Sequence, residues 1–447
     1  MATTLNLKKG LDIRLQGGIA DLTVTPVKAS KCAITPDDYP GIVPKVDVKE
    51  GDVIKAGDPL FHDKQFPDIK IVSPVNGTVE SVVRGERRKL ERIVINPTSG
   101  NADAISVPAK KDGDSTLHER TLLDSGLWAL MRQLPYNIVP RPGVVPRDIF
   151  VTCFDSAPLA PSLDQWIAGH EKDAQAGVDF LKKLTNGTIY IGIREGSPLA
   201  DLKNAEIVTV NGPHPAGNPS IQACNLNPVN KGDTVWMLNS FTLVKLGQLL
   251  NAGSFTMDSV VAVTGCLIEK PYYAKCVYGT PIADLLKGEH LPEKHRRIIT
   301  GNVLTGHPVS LEGYLRIPYY QISVIGEGDD YDEFMGWASL SPQKMSVNRS
   351  FPGHFFKKKE FCPDARILGG RRAMIMSGLY DKVLPMDILP EYLIKAILSH
   401  NIERMESLGI YEVTPEDFAL CEYVDPSKLE LQKIVREGLD YLRNELS

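Results

Sequence analysis

Closely spaced cysteines are missing from this 447-residue chain. Its seven cysteines, at positions 32, 153, 224, 266, 276, 362 and 421, never form a Cys-x-x-Cys pair. Structural zinc and iron–sulfur sites draw on thiolates a few residues apart. The expectation is therefore reduced thiols and no metal. Long apolar runs are missing as well. The longest, Ser259 to Ile268, is far short of the ~20 residues of a membrane helix and suits a buried strand. The stretch from Met1 to Lys9 has no apolar core, so no signal peptide is expected. Charge of one sign is scarce: the net charge is −5, and no global basic field attracts nucleic acid. Internal repeats and low-complexity tracts are absent. The 32 prolines and 37 glycines are dispersed, which marks loops rather than disorder. What remains is a globular chain of about three domains by length, cytoplasmic unless another protein holds it at a membrane.

The most informative segment runs from 40 to 95. Valines and isoleucines alternate with charged residues from Gly41 to Phe61 and again from Ile71 to Val83, the period of half-buried strands. Glu50-Gly51-Asp52, Ala56-Gly57-Asp58 and Asn76-Gly77 supply the turns. The pattern resembles the biotinyl/lipoyl fold, a barrel-sandwich hybrid. Lipoyl carriers modify a lysine in a hairpin a fixed distance before Ser-Pro. Here Lys64 lies too far upstream of Ser73-Pro74 and Lys70 too close, and no Met-Lys-Met exists. A structural barrel is expected rather than a lipoyl or biotin carrier.

Elsewhere the chain reads as an α+β multidomain protein. Residues 1–35 are expected to form an N-terminal β-hairpin turning at Gln16-Gly17-Gly18, and 36–100 the barrel. Residues 101–255 alternate a helix over 118–134, a strand at 148–154, a helix to Leu184, and strands at 187–193 and 206–210: a Rossmann-like α/β layer. Residues 256–330 carry Val263-Thr264-Gly265 and Gly279-Thr280-Pro281 through Leu286, with Thr280 expected as N-cap and Pro281 at the first helical position. These resemble the soluble-ligand-binding β-grasp (SLBB) module. Residues 331–447 are expected to be mainly helical. Leu389, Leu393, Ile397, Ile402, Met405 and Leu408 share one stripe, and Leu431, Ile434, Val435, Leu439 and Leu442 another. The charged run Arg84 to Arg92 mixes signs and suits a solvated hairpin.

The order barrel, Rossmann-like layer, β-grasp and helical bundle is shared by the NADH-binding component of respiratory complex I and the C component of Rnf-type complexes. From Leu7-Lys8-Lys9-Gly10-Leu11-Asp12 through Ser350-Phe351-Pro352-Gly353-His354 to the last helix, the sequence most resembles the A-component family of the sodium-translocating NADH:quinone oxidoreductases. The resemblance implies a peripheral, cytoplasmic-face component of a bacterial inner-membrane complex. That complex oxidises NADH, reduces ubiquinone and exports sodium, with FMN, FAD, riboflavin and an iron–sulfur centre. Its partners would be subunits B to F. The sodium path needs carboxylates at membrane depth, so it belongs to those partners.

Residues of this chain depart from its flavin-binding relatives. Asp124 to Pro135 keeps one glycine, Gly126, where those relatives have a glycine-rich phosphate loop, and Trp128 and Leu130 would fill the approach. FMN is not expected here. The Pro-rich Val210 to Ser220 has no acid for a nicotinamide site, and Leu384-Pro385 and Asp425-Pro426 stand where the relatives have Cys-Pro, leaving Cys421 alone. An Rnf-type flavin/iron–sulfur protein is the alternative these departures oppose. Quinone contact needs hydrogen-bonding groups near aromatic or aliphatic walls. The candidates are Trp128, Met131 and Tyr136 in one segment, and His354 and Phe356 in another. His62, His214 and His307 are further loop histidines. The Phe355-Phe356 pair beside Lys357-Lys358-Lys359 suggests a surface that meets a membrane partner.

Overall fold

The computed structural model describes residues 3–108, 115–329, 339–347, 349–356 and 358–446. The alternating segment folds as a barrel-sandwich hybrid of two sheets. One orders Cys32–Ile34, Leu90–Pro97, Gly77–Arg84 and Val53–Ile54; the other orders Pro44–Val46, Pro59–Asp63 and Lys70–Val72. Alternate side chains such as Phe61, Ile71, Val79, Ile93 and Ile95 fill the space between them. Gly77 allows a close approach of the strands: a Cβ there would lie 2.3 Å from the Asn96 carbonyl. Lys70 pairs within the sheet opposite His62, and Lys64 opens the loop that follows Asp63.

The α/β layer is a six-stranded sheet ordered Thr3–Asn6, Glu206–Asn211, Ile189–Ile193, Asp148–Thr152, Val235–Asn239, Arg132–Leu134. All neighbours are parallel except the last pair. Helices Glu171–Leu181 and Ser240–Ala252 pack against each other through two glycines. A Cβ on Gly177 would meet the Leu243 carbonyl at 2.6 Å, and one on Gly247 the Asp173 carbonyl at 1.8 Å. The second helix starts where the Asn239 side chain accepts from the Thr242 N–H at 3.0 Å, and stops at Gly253 with φ 74°. The β-grasp sheet orders Val24–Pro26, Tyr272–Val277, Asp258–Thr264, Gln321–Gly326, Arg296–Thr300 and His307–Val309. At the C-terminal end, helices Pro390–Leu398, Ala419–Val424 and Leu431–Leu446 bury Leu393, Ile397, Leu420, Val424, Leu439 and Leu442.

Several local expectations are corrected. The N-terminal hairpin does not form. Thr3–Asn6 adds a parallel strand to the α/β sheet and Val24–Pro26 adds one to the β-grasp sheet. Each segment completes the open edge of a larger sheet, where its backbone groups find partners. The helix expected over 118–134 is Ser115–Ser125; Gly126 then takes φ 76°, and a 3-10 turn leads into the strand Arg132–Leu134. Pro281 occupies the N-cap of the helix Ile282–Leu285, and Thr280 Oγ1 instead donates to the Val277 carbonyl at 2.6 Å. Residues 330–338 lie outside the described residues. From 339 to 379 the chain is irregular, among the described residues, apart from the 3-10 turn Pro352–Phe355. The stripe from 388 to 408 breaks at His400, φ 51°, into two helices.

The cysteine reading is corrected too. Cys266 and Cys362 form a disulfide, Cα atoms 5.5 Å apart and 96 residues apart in sequence. The other five cysteines are free. Linear spacing does not reveal the pair, because only the fold brings the two within bridging range. The link staples the irregular segment to the β-grasp sheet. Phe361 there donates to the Arg14 carbonyl at 3.0 Å and accepts from Gln16 at 2.9 Å.

The glycine contact between the two long helices gives a direct test. Gly247→Ala should lower stability by about 1–3 kcal/mol, because the methyl group has no room beside Asp173. Urea unfolding followed by circular dichroism measures it, and a loss under about 0.5 kcal/mol contradicts the packing.

Candidate functional site

Parallel sheets bind ligands outside the carboxyl ends of their strands, where the strand order reverses. That point lies between Asp148–Thr152 and Val235–Asn239. The chain runs outward from the first through Ile189–Ile193 to Glu206–Asn211, then returns to the other side for Val235–Asn239. A cavity of about 310 Å³ opens there, with Thr152 and Asn239 at the strand ends in its wall. All four units of the chain contribute. Asp38 comes from the barrel side, Arg132 and His214 from the α/β layer, Arg316 and Tyr319 to Gln321 from the β-grasp unit, and Glu416 from the C-terminal unit.

Asp38 ties the wall together. Its carboxylate accepts from Arg316 Nε at 2.5 Å and from the Ile317 N–H at 3.0 Å. Its carbonyl accepts from the Arg132 guanidinium at 2.8 Å. Only 7% of Asp38 is exposed. Burial pushes its pKa up to about 6, and the Arg316 charge only partly offsets that. The C-terminal unit joins through Asn137, whose side chain donates to Glu416 at 3.0 Å and whose carbonyl accepts from Arg436 at 3.2 Å.

His214 is the most telling group. It precedes a cis proline, Pro215, in the Pro-rich loop. Its backbone N–H donates to Asp12 at 2.9 Å. Its Nδ1 stands 3.0 Å from Ser156 Oγ, which already accepts from the Gly217 N–H at 2.8 Å. The serine hydroxyl can direct its hydrogen at Nδ1, and in that tautomer the imidazole hydrogen sits on Nε2. Nε2 is buried and has no partner among the described residues. Burial lowers the His214 pKa to about 4, with Asp12 opposing. Gln321 is the counterpart. Its amide nitrogen donates to Pro158 and to Ser323 Oγ, both at 3.0 Å, and its Oε1 is buried without a partner among the described residues. A buried polar atom left unpaired costs roughly 1–3 kcal/mol. The two residues with these unpartnered atoms both line the cavity, as do Phe154, Tyr319 and Tyr320.

The five residues singled out from sequence lie in separate places. Trp128 is fully buried; its indole N–H donates to the Pro140 carbonyl at 2.8 Å, and its ring meets Trp236 edge-on at 5.0 Å. Met131, at the end of the same turn, is fully buried as well. Tyr136, at φ 83° after a cis Leu134–Pro135 bond, packs half-buried against the C-terminal core. His354 and Phe356 line a different cleft with Leu11 to Arg14 and Lys359. There His354 Nδ1 donates to the Phe351 carbonyl at 2.9 Å. Lys357 lies outside the described residues. Leu130, from the same turn as Trp128, does reach the switch-point cavity. Asp38, Arg316 and Gln321 carried no signal in sequence; His214 and His307 did, as histidines flanked by proline or glycine.

After Thr152 the chain runs irregularly from Cys153 to Ser162 before the short helix Leu163–Ile167. Among the described residues, no group of three or more His, Cys, Asp or Glu side chains is placed to hold a metal. No described helix is long and apolar enough to cross a membrane.

Fold and site define a class: an α+β scaffold of barrel-sandwich hybrid, Rossmann-like layer, β-grasp module and helical unit, with a polar switch-point cavity. The sequence matches three family descriptions along its length: NqrA N-terminal barrel-sandwich hybrid domain over 5–98, NqrA second alpha/beta domain over 114–255, and NQRA C-terminal domain over 260–310. It is 35% identical to the NqrA protein, the A component of the Na(+)-translocating NADH-quinone reductase, of Klebsiella pneumoniae (strain 342), over 99% of this chain and 100% of that one. It is 34% identical to the proteins of the same name from Photorhabdus laumondii and Serratia proteamaculans, each matched over its full length and 99% of this chain. The chain belongs to the NqrA family of Na(+)-translocating NADH-quinone reductase components. A chain of an NAD+-reducing [NiFe]-hydrogenase aligns over 67% of this one and 55% of its own length, with 11% identity and a TM-score of 0.35.

His214 gives a pH signature. Folded, it stays neutral to about pH 4; unfolded, it titrates near 6.5. The stability that depends on its neutral form is present above about pH 6.5 and is lost as pH falls towards 4. His214→Gln should therefore be less destabilised than the parent by acid across that window, in urea midpoints measured at pH 7 and pH 4.5. An identical acid response in both proteins contradicts a buried neutral His214.

Proposed function

We propose that this chain is the peripheral component supporting the quinone-reducing step of a sodium-translocating NADH:ubiquinone reductase, and that its switch-point cavity contacts the quinone ring. One observation carries the proposal: His214, whose Nε2 is buried without a partner among the described residues, lines a cavity that also has aromatic residues in its wall. A quinone carbonyl is an acceptor on a flat, neutral ring, and fits such a site. The Arg316 guanidinium in the wall is already paired with Asp38. A neutral imidazole N–H donor favours the carbonyl as electrons arrive and oxygen gains negative charge.

In this reading the chain carries no flavin or iron–sulfur group. FMN, FAD, riboflavin and the iron–sulfur centre reside in subunits B to F, and this chain docks on them at the cytoplasmic face of the bacterial inner membrane. The isolated chain does not oxidise NADH. The quinone contacts first considered from sequence, at Trp128, Met131, Tyr136, His354 and Phe356, are subordinate, since Trp128 and Met131 are closed inside the core and His354 and Phe356 line another cleft. The competing reading is a scaffold that only supports assembly of its membrane partner.

Titration of the full chain with a tail-less ubiquinone, followed by tyrosine and tryptophan fluorescence and by heat, tests the proposal. Saturable micromolar binding is expected. His214→Ala should weaken it roughly three- to tenfold, the loss of one hydrogen bond. His354→Ala should leave it unchanged. Absence of binding by the folded chain leaves the scaffold reading; weakening by His354→Ala alone moves the quinone to the other cleft.

A further inference from the structure

A second cavity adjoins the first. It has a volume of about 220 Å³ and lies between the helix Leu163–Ile167, the start of the helix Ser240–Ala252, and the strands Asp258–Thr264 and Tyr272–Val277. The two cavities share one wall residue, Tyr320. They also meet at consecutive residues: Asn239 lines the first and Ser240 the second. Their chemistry differs sharply. The first is bounded by carboxylates, guanidinium groups and imidazoles. The second is mostly hydrocarbon, with the rings of Trp166 and Phe241 stacked at 5.4 Å along one side.

Its rim is apolar as well. Leu22 and Val24 stand there 54% and 42% exposed. Exposed apolar side chains clustered at the mouth of an apolar pocket mark a place where hydrocarbon enters. The first cavity asks for a polar ring, the second for hydrocarbon, and the rim for more hydrocarbon. That sequence of environments matches an amphiphile with a polar ring and a long apolar tail.

We propose that this pocket is a tail subsite: it holds the first isoprenoid units of the quinone whose ring lies in the switch-point cavity. The proposal rests on the reading of that cavity as the quinone contact. Trp166 and Phe241 would flank the tail, and Leu22 and Val24 would cover it at the exit. Tail length then sets affinity through this pocket, independently of the hydrogen bond at His214.

The test compares tail-less ubiquinone with ubiquinone bearing two isoprene units, on the full chain and on Trp166→Ala and Leu22→Ser. The tailed quinone should bind at least about tenfold more tightly to the parent chain, since burying even one isoprene unit removes several carbons from water. Both variants should cut that gain to about threefold or less and keep their affinity for the tail-less ring. That unchanged affinity also shows that the variants are folded; should Trp166→Ala lose it, the exposed Leu22→Ser carries the test. A gain that persists in the variants, or no gain in the parent, overturns the tail subsite and leaves the ring site standing. Failure of the parent chain to bind the tail-less ring, by contrast, rejects the ring site itself, and the tail subsite with it.

Discussion

One buried carboxylate holds the units of this protein in register. Asp38 leaves the barrel and bonds to Arg316 and Ile317 of the β-grasp unit through its side chain, and to Arg132 of the α/β layer through its carbonyl. Desolvation makes such a group expensive, as its raised pKa shows, and a hydrophobic replacement of the whole cluster would be no weaker a glue. What the charge supplies is geometry. The carboxylate has two oxygens in fixed directions, and each meets a different donor. The three units can satisfy it in one arrangement, and in that arrangement a cavity stays open at the switch point.

The cavity lies where α/β sheets place their ligand sites. In an α/β sheet the reversal of strand order opens a crevice whatever the loops contain. Here Thr152 leads into an irregular stretch instead of a helix start, Arg316 is paired with the Asp38 carboxylate, and Arg132 is bonded to the Asp38 carbonyl. Ser156 meets the His214 imidazole: a Cβ on Gly217 would crowd Ser156 N at 2.7 Å and Oγ at 3.0 Å, so the small residue keeps the serine where it can face the ring. Polar atoms prepared by this network and left unpaired point to a ligand in the cavity.

Local patterns in the sequence carried the local structure. The alternation around Val79 and Ile93 marked barrel strands, and the Leu431 to Leu442 stripe marked the last helix, because each depends on a period and one buried face. Strand Thr3–Asn6 and strand Val24–Pro26 were misplaced as a hairpin, since their partners, Glu206–Asn211 and Tyr272–Val277, lie far along the chain. Cys266 and Cys362 were invisible as a pair for the same reason. The site followed this division. His214 stood out between two prolines, whereas Asp38 and Gln321 gained their meaning only when the fold placed Arg316 and an unpaired oxygen beside them. Trp128 looked like a quinone wall because an aromatic residue near a vanished phosphate loop fits one; in the fold its ring is core, locked on Trp236 and Pro140.

Amide hydrogen exchange of the full chain, compared between the parent and Asp38→Asn, tests the role of this junction most directly. Faster exchange concentrated at residues 35–42, 130–139 and 314–321, with the barrel strands and the last helix protected as before, is the predicted result. Unchanged exchange at these three segments, or a uniform rise across the whole chain, would contradict the account.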